Sequence, residues 1–153
     1  MNTLEHKNDI WDWTEEKPRP VRPEELGDLL RRMQKDLITS PHPFADFMRE
    51  RLREKGLLQQ NVFLAADLPE RYGYKLIAEQ KRTRQRDVIL RLCLAAEFTP
   101  EETNEALIRY GMAPLFVHFP RDLVIHVAME NRIFEIHEVD ALLREHGLAP
   151  LLP

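Results

Sequence analysis

Between Glu70 and Arg91 the chain carries Arg71, Lys75, Lys81, Arg82, Arg84, Arg86 and Arg91 against Glu70, Glu79 and Asp87. Seven cations and three anions put this stretch at +4, so the rest of a chain with formal charge −4 carries −8. A local cationic surplus in an acidic protein is suited to binding phosphate. Guanidinium and ammonium groups neutralise a phosphodiester backbone, and Arg also reads guanine through paired donors. The simpler use of the same residues is a solvated helix surface with cations paired to acids three or four positions away.

Other chemistry has little support. The six histidines, His6, His42, His118, His126, His137 and His146, have no metal-ligand spacing, and a lone cysteine cannot complete a zinc set. Cys93 lies in the apolar run RLCLAA and reads as a buried, inert thiol. His137-Glu138 reads as a helix start. The five glycines stand singly, so no phosphate-cradling loop is present. An enzyme, a bound metal and a cofactor are not expected.

The elements that would hold the cations read as helices throughout. Residues 1–22 mix charges with Pro18 and Pro20 and lack an apolar period, which predicts a flexible arm in which Trp11 and Trp13 could dock on the domain or a partner. Residues 23–153, with no alternating pattern, are expected to form a single all-α domain. Pro23 opens a helix with Leu26, Leu29, Leu30, Met33 and Leu37 at helical spacing, ended by SPHP at 40–43. A helix from about Phe44 is closed by Gly56. QQNVFLAADL forms a short helix broken at Asp67 and Pro69, and a further helix runs from Pro69 to Gln80. The segment from Arg84 to Glu97 is apolar almost all round and should be central. Thr99-Pro100-Glu101-Glu102 is a capping-box start, and Gly111 ends the helix that follows. No apolar run reaches the ~18 residues of a membrane span, and the polar N-terminal residues lack a signal core. A cytoplasmic chain off the membrane is expected.

The C-terminal part repeats itself. Residues 86–115 and 121–151 align with one inserted residue near Phe134 in the second copy. Arg86-Asp87 matches Arg121-Asp122, and Gly111, Ala113, Pro114 and Leu115 match Gly147, Ala149, Pro150 and Leu151. This predicts two helical hairpins of one design, the second covering the first. The second either enlarges the core or supplies a dimer face.

Residues 44–111 resemble the lambda-repressor/Cro-like (XRE-type) helix-turn-helix family. A preceding helix is followed by GLLQQNVFLAADLPERYGYKLIAEQKRT and then by RQRDVILRLCLAAEFTPEETNEAL. Gln59 or Gln60 stands where the family often has its opening Gln, Ala66-Asp67-Leu68-Pro69 where it turns, and Lys81-Arg82-Thr83 where its basic loop lies. The resemblance implies a helix-turn-helix bundle, here extended by the repeated hairpin, that binds double-stranded DNA as a transcriptional regulator. It further implies that the helix after Pro69 enters the major groove. Arg71, Tyr74 and Lys75 would approach the bases, and Gln59, Gln60, Lys81, Arg82, Arg84 and Arg86 the phosphates. The chain departs from the family in four places. Asp67 replaces a turn glycine, Phe63 a small residue in the first motif helix, Gly73 lies inside the second, and Gln80 follows Glu79 where the family ends that helix with glycine. The alternative is a non-enzymatic adaptor that uses the same scaffold to bind a protein partner or a second copy of itself.

Overall fold

The computed structural model describes residues 20–153, so most of the expected arm, with Trp11 and Trp13, lies outside the described residues. The described chain is all-helical, with no strand. Contacts divide it at Ile38 and Thr39. The described part of the first unit holds a 3-10 turn, Pro23–Glu25, and helix α1, Leu26–Arg32, with Leu26 and Leu30 about half exposed. The helical spacing of Met33 and Leu37 predicts a longer helix. Instead the amides of Gln34 and Asp36 bond three residues back, tightening the chain into turns after Arg32.

The second unit, from Thr39, contains seven helices: α2, Pro43–Lys55; α3, Gln59–Ala65; α4, Glu70–Ile77; α5, Arg86–Ala95; α6, Pro100–Tyr110; α7, Pro120–Glu130; and α8, Ile136–Glu145. Helix α5 is central, as its sequence predicts. Seven of its ten residues are buried, and it packs on α3, α6 and α8. Helix α2 packs on α4 and α6, and α7 packs on α6 and α8. One apolar core runs from Phe44 and Met48 through Phe63, Leu76, Ile89 and Leu92 to Ile125, Val139 and Leu143.

The expected end signals act where they stand. Thr99 and Glu102 make both halves of the capping box, and Gly56 and Gly111 take left-handed φ values of 69° and 92° after α2 and α6. Burial pushes the Cys93 thiol up to about 12, beyond the lowering effect of the hydrogen bond to Thr103, so it is neutral and unreactive at pH 7. Four left-handed turns fall on residues other than glycine: Asp67, Glu79, Glu97 and Arg132, at φ 56° to 58°. After Asp67, Glu97 and Arg132 the next amide reaches back to the fifth preceding carbonyl: Leu68 to Phe63, Phe98 to Cys93 and Ile133 to Ala128. The α3–α4, α5–α6 and α7–α8 turns therefore share one backbone solution.

The segments 86–115 and 121–151 also share their tertiary bonds. Arg86 donates to both Asp122 oxygens at 2.8 and 3.0 Å and to the carbonyls of Ala113 and Pro114. Arg121 donates to both Asp87 oxygens at 2.7 and 2.8 Å and to the carbonyls of Ala149 and Pro150. Burial raises the Asp122 carboxyl, but hydrogen bonds from Arg86 and the Phe116 amide outweigh it and hold its pKa below the ordinary range. These two-pronged pairs lock the start of α5 to the start of α7.

Candidate nucleic-acid interface

The expected helix from Pro69 to Gln80 is shorter than predicted. Pro69 is its N-cap, Ile77 its last residue, and Glu79 turns left-handed beyond it. Gly73, Leu76 and Ile77 face the core. Arg71, Tyr74 and Lys75 occupy the opposite face, one turn apart, with Arg71 exposed, Tyr74 43% exposed and Lys75 half-buried. Glu70 is also exposed at the helix start. Gln59, half-buried, and Gln60, exposed, open α3 as expected.

Helices α3 and α4 meet at one especially close approach. A Cβ on Gly73 would lie 2.5 Å from Cγ and Cδ1 of Phe63 and 2.9 Å from Cδ2. The Phe63 ring thus rests directly on the α4 backbone, and Tyr74 closes over it edge-on at 4.8 Å between centroids. Two departures from the family pattern, a large residue on one helix and glycine on the next, are the halves of one fit.

Glu79 fixes the other side of α4. Its Oε2 accepts the Ala45 amide at 2.9 Å, in the first turn of α2, which lacks a capping side chain of its own. A glycine at 79 would enter the left-handed turn at no cost, where a side chain costs about 1–2 kcal/mol. Glycine could not cap α2. This role has no local signal in the sequence, because the two partners stand 34 residues apart.

The basic loop after α4 is held at several points. The amides of Gln80 and Lys81 both donate to the Lys75 carbonyl, and the Thr83 amide donates to the Tyr110 hydroxyl at 2.6 Å. The Arg82 guanidinium lies over the Tyr110 ring, 4.2 Å from its centre, and bonds the Tyr110 carbonyl. Arg82, Thr83 and Arg84 line a groove of about 570 Å³ together with Tyr110, Gly111 and Met112. Lys81, Arg82 and Arg84 are exposed. Among the described residues no carboxylate lies within ion-pair distance of Arg71, Lys75, Lys81 or Arg84; Arg82 reaches Glu79 at 3.9 Å.

Two members of the +4 segment lie elsewhere. Arg86, expected on phosphates, has its guanidinium committed to Asp122 and two carbonyls. A group holding four such acceptors is a structural clamp, and phosphate contact would require breaking it. The recurrence of Arg-Asp at 86–87 and 121–122 was the sequence signal for this crossed pairing. Arg91 is 7% exposed, with Nη1 on the Leu151 carbonyl, and adds nothing to the outer charge. Among the described residues no group of His, Cys, Asp or Glu is arranged to hold a metal ion, and no helix is long and apolar enough to cross a membrane. Comparison with protein-family models, with curated proteins and with solved structures returns no match.

Proposed function

We propose that the chain binds double-stranded DNA as a regulator of helix-turn-helix type, α3 and α4 forming the motif and α4 lying in the major groove. Arg71, Tyr74 and Lys75 face the bases, while Gln59, Gln60, Lys81, Arg82 and Arg84 meet phosphates. The observation that supports this most is that Arg71, Lys75, Lys81 and Arg84 have no ion-pair partner among the described residues. Cations used only to solvate a helix face would be expected to pair with nearby acids. These are left open along a helix and a loop whose backbones are fixed by Phe63, Glu79 and Tyr110. Electrophoretic shift of a random duplex at two salt concentrations tests the proposal. Binding should appear at low salt and fall steeply as salt rises; no binding at low salt rejects it.

The adaptor reading draws on a different observation. Leu58 and Leu64 on the same motif are 68% and 80% exposed, more apolar surface than phosphate contact uses. If the chain failed to shift a duplex at low salt and Leu64→Ser removed a co-purifying protein, the adaptor reading would replace the first.

A further inference from the structure

Phe119, Leu123 and Val127 recur at every fourth position along α7 and are 61%, 44% and 45% exposed. The Leu123 amide bonds the Phe119 carbonyl at 2.9 Å, so Phe119 already belongs to the helical turn. Phe116, 49% exposed, meets Phe119 edge-on at 5.1 Å and widens the stripe. Beside it a groove of about 410 Å³ runs between α7 and α8, lined by Leu123, Val124, Val127, Leu142 and Leu148 and ended by His146.

The same face is closed on the preceding hairpin. In the alignment of 86–115 with 121–151, Leu123 and Val127 correspond to Val88 and Leu92, and His146 to Tyr110. Val88, Leu92 and Tyr110 are 5%, 0% and 2% exposed. They are covered by earlier parts of the chain: α3 packs on α5, and the Phe44 ring of α2 meets Tyr110 edge-on at 4.8 Å. The inner side of α7 and α8 is filled by α5 and α6. Its outer side has the residue types of a covered surface.

We propose that this face is the interface of a homodimer in which the α7 stripe lies antiparallel on that of a second copy about a two-fold axis. Two observations favour a second copy. The protruding Phe119 ring and the groove beside Leu123 lie on one surface, so a two-fold lets each copy fill the other's groove and covers both faces at once. The area also fits. Phe116, Val117, Phe119, Leu123 and Val127 leave on the order of 400 Å² of apolar surface, taking 150–250 Å² for a fully exposed aromatic. That is about half of the ~800 Å² each partner buries in a stable dimer, and interfaces are roughly 57–65% apolar with a polar rim. Glu130, Asn131 and His146 supply such a rim. The face shares no residue with the basic surface, so either can fail alone.

Sedimentation equilibrium of the full chain, from low to high micromolar concentration, tests this. The wild type should be dimeric. Leu123→Glu combined with Val127→Glu should weaken the dimer by ~100-fold or more, because each buries an unpaired carboxylate. Far-ultraviolet circular dichroism should be unchanged, since both positions are exposed in one copy. Phe119→Ala, which adds no charge, should weaken it ~10-fold. Leu64→Glu, at a position 80% exposed on α3, should leave the dimer intact. A wild type that stays monomeric, a dimer indifferent to the double substitution, or equal dissociation by Leu64→Glu would each overturn the proposal.

Discussion

Gly73→Ala tests the contact between α3 and α4. The added methyl carbon would meet Cγ and Cδ1 of Phe63 at 2.5 Å, whereas carbon pairs settle at about 3.5–4.0 Å. Ring or helix must therefore retreat by about 1 Å. The ring has little room, being 1% exposed and closed over by Tyr74. Crowding of this kind costs about 1–3 kcal/mol, while replacing a mid-helix glycine by alanine returns about 1 kcal/mol. The expected net effect is a loss of up to about 2 kcal/mol in urea unfolding followed by helical circular dichroism. In a Phe63→Ala background, itself about 3–5 kcal/mol less stable, the clash is absent and only the helix-propensity gain is left. There the same substitution should stabilise by about 1 kcal/mol. The difference of about 1–3 kcal/mol between the two backgrounds is the diagnostic result. Stabilisation by about 1 kcal/mol in the wild type as well would refute the close approach, and destabilisation in both backgrounds would place the cost in the backbone instead of the ring.

Other consequences follow from the remaining clamps. Asp122 and Glu102 both titrate below the ordinary carboxylate range: burial raises each, but Arg86 and the Phe116 amide overcome it for the first, and Thr99 and Lys55 for the second. Their contribution to stability is therefore complete above about pH 4, the unfolded value, and is lost as pH falls through the lower folded values. Melting temperature should drop on that acid limb, and Asp122→Asn should flatten part of it while costing about 2–4 kcal/mol at neutral pH. Glu79→Ala keeps the left-handed strain and removes the α2 cap, so thermal unfolding should register a loss of about 1–2 kcal/mol; Glu79→Gly, which relieves the strain, should lose less. Arg86→Ala should lower stability by a similar amount to Asp122→Asn and leave the salt dependence of duplex binding unchanged, as titrations of the folded variant would show.

The helices and their stops were readable because they depend on neighbours in sequence. Thr99-Pro100-Glu101-Glu102 and Gly111 act locally, and the apolar run around Cys93 leaves no helix face for water. Boundaries were less readable where a turn used a residue other than glycine: α4 ends at Ile77, and Glu79 turns left-handed just beyond it with its side chain on the Ala45 amide 34 residues away. Phe63 and Gly73 read separately as oddities, since their fit exists only once α3 and α4 cross. The charge surplus near residue 80 was evident, but its division was not. Whether an arginine faces solvent or a carboxylate depends on pairs such as Arg86 and Asp122, which only the tertiary fold brings together across 36 residues.

The most direct measurement is the salt slope of random-duplex binding, by fluorescence anisotropy, for the full chain and for Arg71, Lys75, Lys81 and Arg84 all changed to Ala. With Lys81 and Arg84 each on one phosphate the logarithmic slope should fall in magnitude by about 2 in the variant, near 0.9 per contact, with melting unchanged because none of the four has an ion-pair partner among the described residues. Equal slopes for the two proteins, or no binding by the wild type at low salt, would contradict a nucleic-acid role for this surface.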